Sequence, residues 1–297
     1  MPYFLGHQAT WQQLLSLYQK DHLPHGLLIT GPQGVGKSLV GLCLAYALLC
    51  QKPQKNGEAC GTCGSCQLME KEEHPDFYRL APEGTLIKID AVREIQKNLN
   101  FSPNMGKNRV ILIQESESFH RSAANALLKN LEEAPQNTYF ILLSSAAGRV
   151  LPTLRSRCHH FRLGPLSEEN LKEILSKQGF QSKNLAFYQG SASLALKLKE
   201  VEDQIPDLIH LQNKQQLLSE TVHLLKNLNS REEVKNFLLA LLLSLHHRLT
   251  QNLNLEVEER FSLLSFAQRI LEIKDSLRLN TNAKIQITPL MMHFEDQ

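Results

Sequence analysis

The chain has 297 residues, enough for more than one domain and a sizeable core, and Lys+Arg 32 against Asp+Glu 30 leaves a formal charge of +2 that names no partner. The longest apolar runs, residues 39–50 and 237–245, are too short to span a bilayer, and no N-terminal signal peptide is visible, so a cytoplasmic protein is expected. In that reducing compartment the six cysteines point to metal or core roles and away from disulfides.

Residues 8–20 carry Trp11, Leu14, Leu15 and Tyr18 on one helical face, a lead-in helix packed on the core. A linker with His22 and His25, broken by Pro24, leads to Gly26-Leu27-Leu28-Ile29-Thr30, a short buried strand. Gly31-Pro32-Gln33-Gly34-Val35-Gly36-Lys37-Ser38 follows and fits G-x-x-x-x-G-K-[ST]; an apolar helix then runs over 37–50 without a breaker. That strand–loop–helix context marks a phosphate site. Glycines let backbone N–H groups converge on phosphate oxygens, and the helix N-terminus adds a favourable dipole. Lys37 is expected to reach the β- and γ-phosphates of ATP or ADP, and the Ser38 hydroxyl to hold Mg²⁺. Gly31, Gly34, Val35, Gly36 and Leu39 complete the expected contacts on the loop.

After a polar loop at 51–57 come Cys60, Cys63 and Cys66, which with Cys50 give the spacing C-x9-C-x2-C-x2-C. Four thiolates so spaced can close a tetrahedral Zn²⁺ site. Gly57, Gly61 and Gly64 supply permissive backbone around it. No open coordination position is implied, so the zinc is expected to be structural. Cys43 and Cys158 fall outside the cluster and are expected in the core.

Residues 76–80 and 86–89 read as strands, and Asp90 as the cap of a helix with Val92, Ile95 and Leu99 facing inward. Residues 98–108 read as a loop. Arg109-Val110-Ile111-Leu112-Ile113 has the near-continuous apolar character of a central parallel strand. In P-loop ATPases such a strand ends in an acid that holds Mg²⁺, often followed by a glutamate that polarises the attacking water. Here the pair is Gln114-Glu115: Glu115 is the candidate catalytic acid, and the magnesium-side carboxylate is missing. Residues 119–133 read as a helix and 139–143 as a buried strand ending in Ser144-Ser145. Ser144 either faces the γ-phosphate or caps the next turn. Between Glu133 and Glu168 there is no acid, while Arg149, Arg155, Arg157 and Arg162 all fall there, a stretch suited to an anion.

Ser167 caps a further helix with Glu168 and Glu169 in its first turn, where carboxylates meet the dipole favourably. Residues 167–200 make a small helical region. Beyond Pro206 leucine-rich helices are expected at 211–228, 232–249 and 257–279, then a last stretch at 281–294 with Ile285, Ile287, Leu290 and Met291.

His120-Arg121-Ser122-Ala123-Ala124-Asn125-Ala126-Leu127-Leu128-Lys129-Asn130-Leu131-Glu132-Glu133-Ala134-Pro135, followed by Thr153-Leu154-Arg155-Ser156-Arg157-Cys158, resembles the bacterial DNA polymerase III clamp-loader subunits of the AAA+ class. The N-A-L-L-K-x-L-E-E-x-P and S-R-C signatures carry the resemblance, and the four-cysteine insert is a feature of the same family. It is strong over the first ~165 residues and architectural beyond. It implies an α/β AAA+ P-loop domain with a parallel sheet over 1–165, with a zinc-knuckle insert at 50–66. A small helical lid at 166–205 and an all-α collar at 206–297, which joins subunits into a ring, would follow. Two positions depart from the family's motor subunits: Gln114 replaces an aspartate, and Gly190-Ser191-Ala192-Ser193 stands where motors carry G-S-x-R. The chain is therefore similar to the family's stator, with weak ATPase activity of its own and Arg157 donated in trans to a neighbour's ATP.

The implied partners are the motor subunits (tau/gamma) and the delta subunit in a hetero-pentameric ring, the sliding clamp, and primed DNA through the assembled complex, with no membrane. The chain would then serve a DNA-directed DNA polymerase holoenzyme, a nucleotidyltransferase, without a polymerase site of its own. Two other readings stand beside this one. Gln114 and Ser193 weigh against a self-sufficient AAA+ motor ATPase. Few basic or aromatic residues flank the cysteine insert, which weighs against a zinc-containing nucleic-acid-binding module.

Overall fold

The computed structural model describes residues 2, 4–99, 101–182, 185–199, 231–251 and 256–276, so the helix expected at 211–228 and the stretch at 281–294 lie outside them. In chain order the elements are α1 (Gln8–Gln19), β1 (Gly26–Thr30), α2 (Lys37–Leu49), α3 (Gly64–Glu70), β2 (Phe77–Leu80), α4 (Ile89–Leu99) and β3 (Arg109–Ile113). There follow α5 (Arg121–Glu132), β4 (Thr138–Ser144), α6 (Pro152–Arg155), β5 (His159–Arg162), α7 (Glu168–Lys177), α8 (Ala192–Leu198), α9 (Arg231–Gln251) and α10 (Val257–Ser276).

The strands form one parallel sheet in the order β2-β3-β4-β1-β5. Parallel strands need helices on both faces, and β1 and β3 are accordingly buried at every residue. Alternate side chains serve two layers. Leu27, Ile29, Val110, Leu112, Ile141 and Leu143 pack with α1, α2 and the cysteine insert. Leu28, Ile111, Ile113, Phe140 and Leu142 pack with α4, α5 and Leu154. The expected strand at 86–89 is not formed. Its residues make only isolated bridges, Glu83 with Leu86 and Ile87 with Phe119, and α4 already begins at Ile89, which puts Asp90 inside the first turn. Conversely α3 and β5 form where the sequence pattern announces no element.

The first compact unit comprises Met1–Ile174 with Gly190–Ser193, the second Leu175–Gln189 with Leu194–Gln297. In the second, α9 buries Val234, Phe237, Leu238 and Leu241, and α10 buries Leu263, Phe266 and Ile270. Val257, Phe261, Leu264 and Leu271 form an exposed apolar row on α10. No helix among the described residues is long and apolar enough to cross a membrane.

One end of α2 shows how the insert is fixed to the sheet. Cys50 leaves the helix in an extended conformation, so the last carbonyls have no backbone cap. Asn108 Nδ2 donates to Leu48 O at 2.6 Å, and Ser65 Oγ to Leu49 O at 2.6 Å. His74 Nδ1 accepts from the Asp76 N–H at 3.1 Å, so its protonated Nε2 donates to Ser65 Oγ at 2.8 Å. A serine, a histidine and an aspartate thus meet with the proton running the wrong way for a nucleophile. The group is a buried brace.

Asp76 is fully buried and accepts from the Asn104 N–H at 2.7 Å and the Met105 N–H at 2.8 Å, with Arg109 Nη2 3.9 Å away. The Arg109 guanidinium, 1 % exposed, donates to Phe101 O and Ser102 O, so the pair pins the loop before β3. Asp76→Ala strands a buried positive charge and two amides, and is expected to lower unfolding free energy by about 3–5 kcal/mol. Denaturant melts of the variant check this; a midpoint equal to wild type rules it out.

Candidate functional site

The carboxyl ends of β1, β4 and β3 lie side by side, with Thr30 beside Ser144 and Ile113 beside Leu142. Crevices at the carboxyl ends of parallel strands are where such sheets bind ligands. The loop after β1 keeps close company there. A Cβ on Gly31 would lie 2.4 Å from Leu163 O. Gly34 has φ +80°, and a Cβ on it would lie 2.2 Å from Ser191 Oγ and 2.3 Å from Ser193 Oγ. Ser191 Oγ donates to Gln33 O at 2.9 Å, the Ala192 N–H donates to Gly34 O at 3.0 Å, and His7 Nε2 lies 2.9 Å from Val35 O. In a planar trans peptide the next N–H points opposite to the carbonyl. The amides of Gly34, Val35 and Gly36 are therefore turned away from these partners, the arrangement that receives phosphate oxygens.

Lys37 Nζ folds over the loop and donates to Gly31 O at 2.8 Å and Pro32 O at 2.6 Å. Burial lowers its pKa, and the negative charge of Glu117 offsets part of that. Ser38 and Leu39 are exposed at the start of α2. Ser144 is buried, and its Oγ accepts from the Ala146 N–H at 3.1 Å, as a cap of the next turn does. Gln114 donates its N–H to Leu80 O at 2.8 Å, while Glu115 sits exposed with φ +49°.

The acid that turns toward the P-loop is Glu117, which sequence reasoning missed. Its Oε1 accepts from both the Ser145 N–H, at 3.0 Å, and the Ser145 hydroxyl. Burial works to raise its pKa, but the hydrogen bonds from the Ser145 hydroxyl and N–H outweigh it and hold the carboxylate ionised. No sequence signal marks it. An acid beyond the end of a strand reads as loop until the left-handed Glu115 and a 3₁₀ turn at Ser116–Ser118 swing it back.

The four cysteine sulfurs lie within 4.8 Å of one another, with Cys50–Cys60 at 3.6 Å and Cys50–Cys63 at 3.9 Å. Tetrahedral ligands at the Zn–S bond length would be about 3.8 Å apart, so the sulfurs fit the ion. Cys60 Sγ accepts from the Thr62 and Cys63 N–H groups, which hold its thiol down at about 6. Burial pushes the Cys50 and Cys66 thiols up, so a cation is needed to keep all four as thiolates. Trp11 Nε1 donates to Glu58 Oε1 at 2.9 Å and ties the insert to α1. Cys43 and Cys158 stand apart, both pushed up to about 12 by burial, as core thiols are.

Arg157 lies on the turn after α6. Its Nε donates to Glu132 Oε1 at 2.6 Å, Nη2 joins the same oxygen, and Nη1 donates to Thr153 O at 3.0 Å. The arginine thus pairs with an acid of α5 and stays 34 % exposed.

The family described as DNA polymerase III, delta subunit, matches residues 6–167. The delta' subunit of DNA polymerase III from Escherichia coli (strain K12) is 38% identical over 195 residues, 63% of this chain and 58% of that protein. The delta' subunit from Pseudomonas aeruginosa is 40% identical over 153 residues, 51% of this chain and 45% of that protein. The chain thus spans about half the length of these curated relatives. Among solved structures, a DNA polymerase III gamma subunit-related protein from Thermotoga maritima is similar in fold, with 19% identity, a TM-score of 0.55, and coverage of 96% of this chain and 99% of that one. The match runs from the lead-in segment through the whole sheet, the cysteine insert and the turn bearing Arg157, and the chain belongs to the delta-prime subunits of DNA polymerase III.

Proposed function

We propose that the chain is the stator of a clamp loader. With motor subunits (tau/gamma) and a delta subunit it forms a hetero-pentameric ring that places a sliding clamp on primed DNA in the cytoplasm. The observation that carries this reading is Arg157: exposed, and set on the turn after α6 beside Gly26 at the start of β1, whereas the chain's own P-loop follows the other end of that strand. A guanidinium stays charged and forks onto the γ-phosphate oxygens of a neighbour's ATP. The polymerase holoenzyme, a nucleotidyltransferase, is the enzyme this assembly serves.

The chain's own P-loop holds ATP or ADP with Mg²⁺ through Gly31, Gly34, Val35, Gly36, Lys37, Ser38 and Leu39, while Ser144 serves as the cap of the turn beside it. Turnover there is slow, because Glu115 sits exposed on the turn after β3 and position 193 offers no guanidinium. Cys50, Cys60, Cys63 and Cys66 hold a structural Zn²⁺. Residues 1–165, 166–205 and 206–297 serve as AAA+ domain, lid and collar. The exposed row Val257, Phe261, Leu264 and Leu271 supports a collar that meets other subunits.

Co-expression with the motor and delta subunits, followed by native mass measurement, tests the assignment. One copy of this chain in a five-subunit complex is expected. A chain that stays alone, or assembles only with itself, removes the stator reading.

A further inference from the structure

The end of β3 carries a glutamine where the family resemblance puts the magnesium-side aspartate, yet the structure brings another carboxylate to the same crevice. The turn holding Glu117 is anchored on β4 by Ser116 Oγ, which donates to Leu143 O at 3.0 Å. One oxygen of Glu117 is engaged by Ser145, directly after Ser144, whose carbonyl accepts the Gly31 N–H of the P-loop at 3.3 Å. The other oxygen, Oε2, is buried and has no hydrogen-bond partner among the described residues. Such a group is costly to leave unmet and is kept where something else satisfies it. Lys37 does not: its ammonium is committed to Gly31 O and Pro32 O, and acts on Glu117 only through the field between them.

We propose that Glu117 is the metal-side carboxylate of this P-loop, its free oxygen accepting from a water of the Mg²⁺ that accompanies the bound nucleotide. Mg²⁺ keeps several of its waters and is typically held by one or two carboxylates together with phosphate, so a carboxylate one water away suffices. Glu117 stands in for the aspartate that Gln114 replaces, reaching the crevice from a turn and not from the strand end. This rests on the reading that the P-loop binds nucleotide.

The test is calorimetric titration of ADP into the full chain, in MgCl₂ and again in EDTA, for wild type, Glu117→Gln and Glu117→Asp. Glutamine keeps an oxygen for Ser145 and loses the charge; aspartate keeps the charge and withdraws it by one methylene. In wild type Mg²⁺ is expected to tighten ADP binding by about tenfold or more. Glu117→Gln should lose that gain while retaining the affinity seen in EDTA, and Glu117→Asp should reduce it. Mn²⁺ in place of Mg²⁺, followed by electron paramagnetic resonance, should show weaker uptake with ADP in both variants. A Mg²⁺ gain unchanged in either folded variant overturns the proposal. ADP bound by wild type in neither buffer overturns the nucleotide reading beneath it, an outcome told apart by the empty EDTA titration.

Discussion

Arg157→Ala, placed in a reconstituted complex with intact motor subunits, is expected to assemble normally and lose most clamp- and DNA-stimulated ATP hydrolysis. Arginine fingers in other phosphoryl-transfer systems contribute about 10³–10⁵ in rate, and the loss at the one site this residue serves should approach that range. The fold says why assembly survives. Arg157 and Glu132 are 34 % and 48 % exposed, and an ion pair that wet contributes about 0–1 kcal/mol. Removing the guanidinium leaves Glu132 in water and Thr153 O to solvent, with no buried group stranded. The same weakness lets Glu132 hold the side chain in place and still release it to a stronger anion such as a γ-phosphate. Arg157→Lys retains the charge but not the planar fork, and should recover only part of the rate. The readout is steady-state ATPase of the complex with and without clamp and primed DNA. Full stimulated turnover in Arg157→Ala, or failure of the complex to form, sinks the role in trans.

What was legible in the sequence follows from how strongly each element is over-determined. β1, β3 and β4 sit in the middle of the sheet, are buried on both faces, and therefore read as unbroken apolar runs. β5 is an edge strand with only Phe161 buried among His159, His160 and Arg162, so its pattern carries almost no hydrophobic signal. Residues 86–89 failed the other way: the apolar Leu86, Ile87 and Ile89 resemble a strand, yet they make only isolated bridges, Leu86 with Glu83 and Ile87 with Phe119. Arg109 opens an apolar strand in the sequence pattern. Its guanidinium is nonetheless buried against Asp76, a pairing between residues far apart in sequence that no local pattern announces. Glu117 escaped for the same reason, since its importance depends on Ser145, just past the end of β4.

The cysteine cluster was the most local of the site features, and it supports the last expectation. Elemental analysis should find one Zn²⁺ per chain, and Cys63→Ser should lose it together with much of the stability of the first unit. Structural zinc contributes about 10–16 kcal/mol of apparent folding free energy in isolated zinc-finger peptides at pH 7. That figure is a ceiling here, because α2 and the sheet give part of the site a scaffold that such peptides lack. The loss should still exceed that of an ordinary core cysteine, since Cys50, Cys63 and Cys66 are buried and Cys50 and Cys66 favour the protonated state once the cation is gone. The sign with pH follows. Metal binding requires thiolates, so acidification protonates the ligands and removes the stabilisation, while raising the pH restores it. Melting temperature should therefore fall more steeply toward acid in zinc-loaded wild type than in Cys63→Ser, which has no zinc left to lose. Nucleotide binding should persist in the folded variant at low temperature, because α2 separates Cys50 from Lys37 by about 20 Å of helix. A protein that carries no metal after reducing, chelator-free purification, or a Cys63→Ser variant that melts with wild type, leaves the four sulfurs without a structural ion.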